Sequence, residues 1–125
     1  MLFRSRLLQD VGIDKTVEYA RKLGVGDVPS VPSLALGSGE VTLEAITAAY
    51  GAFANRGLLA APRVIRRVED RDGQLLYASD APPIRVLSEN TAFLMTSLLS
   101  DVIDAGTGAG ARRLGFKAQI GRAHV

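Results

Sequence analysis

The sequence predicts an α+β fold, mainly helices with one β-hairpin. Two observations carry that reading. Apolar residues recur at three- and four-residue spacing in separate stretches, most of them opened by a capping residue and closed by glycine. Between two of these stretches, β-branched Val64, Ile65 and Val68 precede Asp72-Gly73, and Leu75, Leu76 and Tyr77 follow it. That is the pattern of two short strands joined by a turn.

Taken in order, Arg6 to Val11 reads as the last turns of a helix, with Gly12 at the left-handed position that ends it. Asp14 is placed to cap a second helix whose Val17, Ala20 and Leu23 share a face and which Gly24 stops. Val25 to Gly39, with Pro29, Pro32, Gly37 and Gly39, reads as a loop. Thr42 then caps a helix running to Asn55, with Glu44 near the positive end of the helix dipole. Leu43, Ile46, Tyr50 and Phe53 line one side of it, while Ala45, Ala48, Ala49 and Ala52 on the other let a second element approach closely.

The hairpin occupies Pro62 to Ala78, and Asp72-Gly73 is expected to supply the positive φ values of a tight turn. Pro82-Pro83 bars helix before Ser88, which caps a long helix to Ala105. Met95, Leu98, Leu99, Val102 and Ile103 form its apolar stripe, and Gly106-Thr107-Gly108 ends it. Ala109 to Leu114 reads as a short helical turn, and Phe116-Lys117-Ala118 as the start of a strand.

With 125 residues, 47% apolar and 22% charged, the composition is that of an ordinary globular chain and allows one domain at most. Such a chain buries a real core only if its apolar faces find partners within it. The absence of Cys excludes disulfides and thiolate metal sites, and the one histidine, His124, leaves no imidazole pair for a metal. The 15 basic and 13 acidic residues are interleaved, and the doublets Arg66-Arg67 and Arg112-Arg113 read as solvated surface, so no nucleic acid partner is expected. No uncharged stretch approaches the roughly 18 residues of a membrane span, and the first residues lack the apolar core of a secretory signal.

Both ends read as foreign. Leu2-Phe3-Arg4-Ser5 is what CTC TTC CGA TCT encodes, and Ile120-Gly121-Arg122-Ala123-His124-Val125 is what ATC GGA AGA GCA CAC GTC encodes. These resemble the two complementary ends of a common sequencing adapter. The expectation is a single incomplete domain over 1–125, genuine from about 6 to 119, with 1–5 and 120–125 adapter-derived. Without Arg4 and Arg122 the basic and acidic residues balance at 13 each.

No catalytic, cofactor-binding or metal-binding residue emerges. A nucleophilic Ser needs a base, which serine transpeptidases supply as Ser-x-x-Lys. Lys15, Lys22 and Lys117 are preceded at that spacing by Gly12, Tyr19 and Leu114, and Lys15-Thr16 continues with Val17 rather than Gly. Ser88-Glu89-Asn90 satisfies Ser-x-Asn formally, but Ser88 already serves as a helix cap. Gly106 to Gly110 lacks the Lys of a phosphate loop and follows a helix. Glu69, Asp70 and Asp72, and Asp101 with Asp104, read as solvated charge.

Four segments stand in an order that resembles the transpeptidase domain of bifunctional (class A) penicillin-binding proteins. They are Leu34-Ala35-Leu36-Gly37-Ser38-Gly39-Glu40-Val41-Thr42-Leu43-Glu44 through Ala49-Tyr50-Gly51-Ala52-Phe53-Ala54-Asn55-Arg56-Gly57; Ile65 to Gly73; Thr91 to Leu99; and Val102 to Gly108. The resemblance implies an incomplete piece of a serine β-lactamase-like fold, lying between the family's Ser-x-Asn and Lys-Thr-Gly motifs and without its Ser-x-x-Lys. No catalytic residue carries over to any position here, so the piece itself is expected to be inert.

The resemblance implies a parent that is a membrane-anchored peptidoglycan synthase with extracytoplasmic (periplasmic) enzymatic domains and a glycosyltransferase domain elsewhere. Such a parent crosslinks stem peptides through a serine acyl-enzyme, is acylated by β-lactams at the same Ser, and needs no cofactor for that step. Its partners are stem peptides, β-lactams and the remainder of the transpeptidase domain. The alternative is a small standalone α+β interaction or scaffold module without catalytic activity. A β-lactam hydrolase fragment is a weaker third reading, which Leu36 to Gly57 disfavours.

Overall fold

Helix α1 spans Leu2–Val11 and α2 spans Ile13–Lys22 in the computed structural model, which describes residues 2–117. Gly12 is the corner between them. Its N–H closes α1 on the Leu8 carbonyl at 2.9 Å, and its own carbonyl accepts the Thr16 N–H at 3.2 Å and the Thr16 hydroxyl at 3.0 Å. Its φ of 93° is positive as expected, but ψ is 134°, outside the left-handed helical region and open only to glycine. Because the Gly12 carbonyl already starts α2, the expected cap Asp14 falls inside the first turn, where its carboxylate accepts from the Ser30 hydroxyl at 3.3 Å.

Gly24, at φ 72°, ends α2 as expected: Val25 N–H reaches the Ala20 carbonyl and Gly24 N–H the Arg21 carbonyl, both at 2.9 Å. This doubly bonded glycine stop satisfies carbonyls the helix leaves open. The expected loop 25–39 contains a 3-10 turn, Pro32–Leu36, against which α1 packs. Pro32 fixes the φ of its first residue, and Gly37, left-handed at φ 88° and ψ 32°, closes it on the Leu34 carbonyl. Proline just inside and glycine just past five residues was the sequence signal for it.

Helix α3 spans Leu43–Ala54, and the Thr42 hydroxyl accepts the Ala45 N–H at 3.1 Å as the cap reading requires. Helix α4 spans Glu89–Asp104 under the same arrangement, with the Ser88 hydroxyl accepting from Thr91 N–H at 3.1 Å. A short α5, Ala109–Arg113, follows. Phe116 and Lys117 form no strand; Phe116 N–H instead bonds the Ala111 carbonyl at 3.0 Å and closes α5. Ala118, the last residue of that expected strand, lies outside the described residues.

The hairpin pairs β2, Arg67–Glu69, antiparallel with β3, Leu75–Ala78. Val68 faces Tyr77 and Glu69 faces Leu75, so Leu76 is the extra residue of a bulge. Val64 and Ile65, expected in the first strand, precede it. The turn is wider than a two-residue one, and of its residues only Gly73 has positive φ, at 81°. Asp70 builds it instead: its carboxylate accepts the N–H groups of Asp72 at 2.9 Å and Gln74 at 2.8 Å.

A second strand pair joins β1, Leu58–Leu59, to β4, Ile84–Arg85, with Leu58 opposite Arg85 and Leu59 opposite Ile84. The α+β class therefore stands, with two small sheets among the described residues rather than one hairpin. Two-residue strands are too short to show an alternating pattern, which is why this pair escapes the sequence.

Buried apolar side chains among the described residues are Leu8, Val17, Ala49, Ala52, Leu87 and Ala92. Half of these are alanines at the contact of α3 with α4. The large residues of the expected α3 stripe sit further out: Leu43 is 81% and Tyr50 50% exposed. The α4 stripe divides likewise, with Met95, Leu99 and Ile103 half-buried and Leu98 and Val102 exposed.

Candidate functional site

Three elements meet where α3 ends, and a glycine makes the meeting possible. Arg56, at φ 52°, and Gly57, at φ 85°, turn the chain out of α3 into β1, with Gly57 N–H on the Ala52 carbonyl at 2.8 Å. The Gly57 carbonyl then accepts from Val86 N–H at 2.9 Å and Leu87 N–H at 3.2 Å. A Cβ on Gly57 would lie 2.3 Å from the Leu87 carbonyl oxygen, so only glycine fits between these strands as they stand.

Arg85 locks the same junction. Its guanidinium donates to the Arg56 carbonyl at 3.0 Å and the Leu87 carbonyl at 3.2 Å, and pairs with Glu89 of α4 at 3.5 Å. Arg63 clips the base of the hairpin, donating to the carbonyls of Ser79 and, at 2.8 Å, Ala81. Neither arginine stands out in the sequence, because the Arg56 carbonyl that Arg85 reaches and the Ser79 and Ala81 carbonyls that Arg63 reaches lie far along the chain and carry no side-chain signature; only the four-residue spacing of Arg85 and Glu89 is legible.

Beside the junction lies an apolar groove of about 450 Å³. Its walls include Ala45 and Ala48 of α3, Leu59 of β1, Pro62, Pro82 and Ile84 of β4. Glu44 brings the one charged side chain and Thr42 the one hydroxyl, which already caps α3. The groove can enclose an apolar group, but its lining offers no nucleophile paired with a base.

The groups weighed in the sequence take structural positions. Ser88 caps α4, and its hydroxyl also lies 2.7 Å from the Thr91 hydroxyl. Lys22 pairs with Glu18 at 2.6 Å and sits over the Tyr19 ring. The hydrogen bond and the attraction of Lys22 hold the Glu18 carboxyl below its ordinary pKa, and the same bond raises that of Lys22. Gly106 and Gly108 lie against Val102 and Ile103 so closely that a Cβ would come within 2.8 and 2.6 Å of them. They permit the α4–α5 corner, consistent with the helix-ending reading of this stretch.

The carboxylates are dispersed rather than paired for chemistry. Glu69 pairs with Arg67, Asp70 builds the hairpin turn, and Asp104 pairs with Arg112 at 2.7 Å. Among the described residues no group of three or more His, Cys, Asp or Glu is placed to hold a metal. His124 lies outside the described residues. No described helix is long and apolar enough to cross a membrane.

A partial α+β piece of this kind, capped helices around a shared junction, has clear counterparts. No family model matches the chain. It is 34% identical over 118 residues to penicillin-binding protein 1A of Neisseria gonorrhoeae, a match covering 88% of this chain and 15% of that protein. It is 33% identical over 138 residues to penicillin-binding protein 1A of Rickettsia typhi, covering 91% and 18% respectively. The crystal structure of penicillin-binding protein 1A from Haemophilus influenzae superposes with a TM-score of 0.74 at 26% identity, over 86% of this chain and 21% of that one.

The chain is thus homologous to a segment of a bacterial penicillin-binding protein, and its fold is a partial piece of that fold. Within that class its relatives are the class A enzymes of the 1A type. It spans less than a fifth of the length of these curated relatives.

Proposed function

We propose that this chain is one structural part of the transpeptidase domain of a peptidoglycan synthase, lying between the domain's Ser-x-Asn and Lys-Thr-Gly motifs and inert by itself. The observation that carries the reading is the similarity to a segment of penicillin-binding protein 1A, extending over 82–91% of this chain. Genuine sequence runs from about 6 to 119. The whole protein crosslinks stem peptides through a serine acyl-enzyme that β-lactams also form, and it is anchored in the cytoplasmic membrane with its enzymatic domains outside. In it, Thr42 to Ala54 is a packed helix, Asp72-Gly73 part of a surface turn, and α4 the support of the strand that bears Lys-Thr-Gly.

The mechanism supports inertness of the part alone. Acylation needs a Ser hydroxyl whose proton passes to a lysine one helical turn away. Three residues before each of its lysines this chain has Gly12, Tyr19 or Leu114. Its contribution is therefore to hold α4 against α3 and so fix the supporting layer.

The test is to incubate the purified chain with fluorescent penicillin and read covalent label on a denaturing gel and by intact mass. No adduct is expected; an adduct on a Ser overturns inertness. A class A synthase carrying residues 6–119 in place of its own corresponding segment is expected to keep penicillin labelling. A folded, exported chimera without labelling overturns the assignment.

A further inference from the structure

The tip of the β2–β3 hairpin carries a backbone step open to rearrangement. Asp72-Gly73 is the one Asp-Gly pair in the sequence, and no Asn-Gly occurs. The carboxyl carbon of an aspartate and the amide nitrogen of the next residue can close a five-membered ring, and a β-carbon on that next residue stands in the way. Gly73 has none, and the place a β-carbon would take has no atom beyond the neighbouring residues within 4 Å. Both residues are exposed. Among the described residues the Asp72 carboxylate takes part in no hydrogen bond or ion pair. The Gly73 N–H is held by the Asp70 carbonyl at 3.2 Å, the long end of the range for such a bond.

The other aspartates lack one or more of these conditions. Asp70 is close by, but its carboxylate accepts the N–H groups of Asp72 at 2.9 Å and Gln74 at 2.8 Å, and Arg71 follows it. Asp27 pairs with Arg21 at 2.6 Å and precedes Val28. Asp10, Asp14, Asp101 and Asp104 stand in helices, whose hydrogen bonds fix the backbone torsion that ring closure must turn. Asp80 precedes Ala81.

We propose that Asp72-Gly73 is a site of spontaneous covalent modification, at which the aspartate isomerises to isoaspartate through a succinimide. From the acid form of the side chain, the Gly73 nitrogen attacks Asp72 Cγ. The N–Cγ bond forms, the bond from Cγ to its hydroxyl breaks, and the hydroxyl leaves with the amide proton as water. Water then adds to either ring carbonyl. Addition at Cγ restores aspartate; addition at the main-chain carbonyl carbon breaks its bond to nitrogen, routes the chain through Cβ and Cγ, and leaves that carbon as a free carboxylate. One water leaves and one returns, so the mass is unchanged. The rerouted chain is longer by one carbon between the Asp72 and Gln74 N–H groups that the Asp70 carboxylate bridges. The modified turn gives up the Gln74 bond and loosens the Glu69–Leu75 end of the ladder. The proposal goes beyond the synthase reading and does not depend on it; penicillin labelling can fail or succeed without altering this outcome.

The test is to age the full chain in neutral buffer at physiological temperature, count isoaspartate by enzymatic methyl transfer from S-adenosylmethionine, and place it by electron-transfer fragmentation of its peptides. Isoaspartate is expected at Asp72, forming within about tenfold of the rate in a free peptide of residues 69–76, because an exposed turn opens at little cost. Gly73→Ala is expected to slow it about tenfold or more. Asp72→Glu, which would need a six-membered ring, is expected to leave only background. In the converted chain, hydrogen exchange of the Gln74 amide is expected to quicken about tenfold. A chain free of isoaspartate while the peptide converts overturns the proposal, as does conversion at Asp70 or Asp80 in place of Asp72. A rate indifferent to Gly73→Ala overturns the part given to the glycine, and unchanged exchange at Gln74 overturns the loosening of the turn.

Discussion

The α3–β1–β4–α4 junction and the β2–β3 hairpin are neighbours in sequence that hold together by different means. At the junction Ala49, Ala52, Leu87 and Ala92 are buried, and Gly57 approaches the Leu87 backbone too closely for any Cβ. Between Ala61 and Tyr77 nothing is buried, and Asp70 alone is even half-covered. The hairpin relies on its ladder, on the Asp70 carboxylate within the turn, and on Arg63 at its base. The junction should therefore be sensitive to single carbons and the hairpin to polar groups.

The largest effect expected is at Gly57. Gly57→Ala forces an L-residue to φ 85° and places a carbon against the Leu87 carbonyl. A loss of about 2–4 kcal/mol in urea denaturation is expected. Gly73→Ala meets the same sign of φ, 81°, with nothing within 4 Å, and should cost only about 1–2 kcal/mol. Equal losses at the two glycines would break the comparison, because conformational strain alone would then account for both. Ala52→Leu, at a fully buried position, should cost about 1–3 kcal/mol by overpacking. Leu76→Ala on the exposed hairpin should stay within about 0.5 kcal/mol.

How far these differences are legible in the sequence depends on the range of the interactions. Thr42, Ser88 and Gly24 act within a turn of their own positions, and local pattern placed α3, α4 and the end of α2 accordingly. Asp14 failed as a cap because the Gly12 carbonyl claims the helix start, a choice set by the backbone corner. The β1–β4 pair, the Arg85 contact with Arg56 and the Arg63 contacts join residues 16 to 29 positions apart through backbone carbonyls, and no residue type announces them. Periodicity found the α3 and α4 stripes but could not say which flank is covered, since that depends on what lies opposite. For the site, the lysine spacing was readable outright, whereas the groove beside Ala45 and Ala48 exists only once β1 and β4 pair.

The caps sharpen the comparison at a smaller scale. Ser88→Ala removes the acceptor of the Thr91 N–H at the edge of the junction and is expected to cost about 1 kcal/mol. Thr42→Ala, in the lining of the groove, should cost a similar amount. Ser88→Asp should restore most of the loss, since a carboxylate accepts the same N–H and suits the helix N-terminus. If Asp fails to rescue, Ser88 contributes through its contact with the Thr91 hydroxyl rather than through capping.

The smallest effect lies on the surface of α2, where Glu18 and Lys22 are a turn apart and solvent-exposed. Their hydrogen bond lowers the Glu18 pKa below 4.5 and raises that of Lys22 above 10.5. The Glu18 contribution is thus present above its unfolded value and lost as pH falls through the lowered one. The Lys22 contribution is present below its unfolded value and lost as pH rises through the raised one. Between those limits the pair should leave stability flat with pH. Carboxyl resonances followed by NMR should show Glu18 titrating below 4.5, and Lys22→Gln should move the midpoint up toward it. Salt near 1 M should shrink the difference, because solvated charges are screened within about 3 Å at that strength. A midpoint unmoved by Lys22→Gln would mean that Lys15, rather than Lys22, holds the carboxylate.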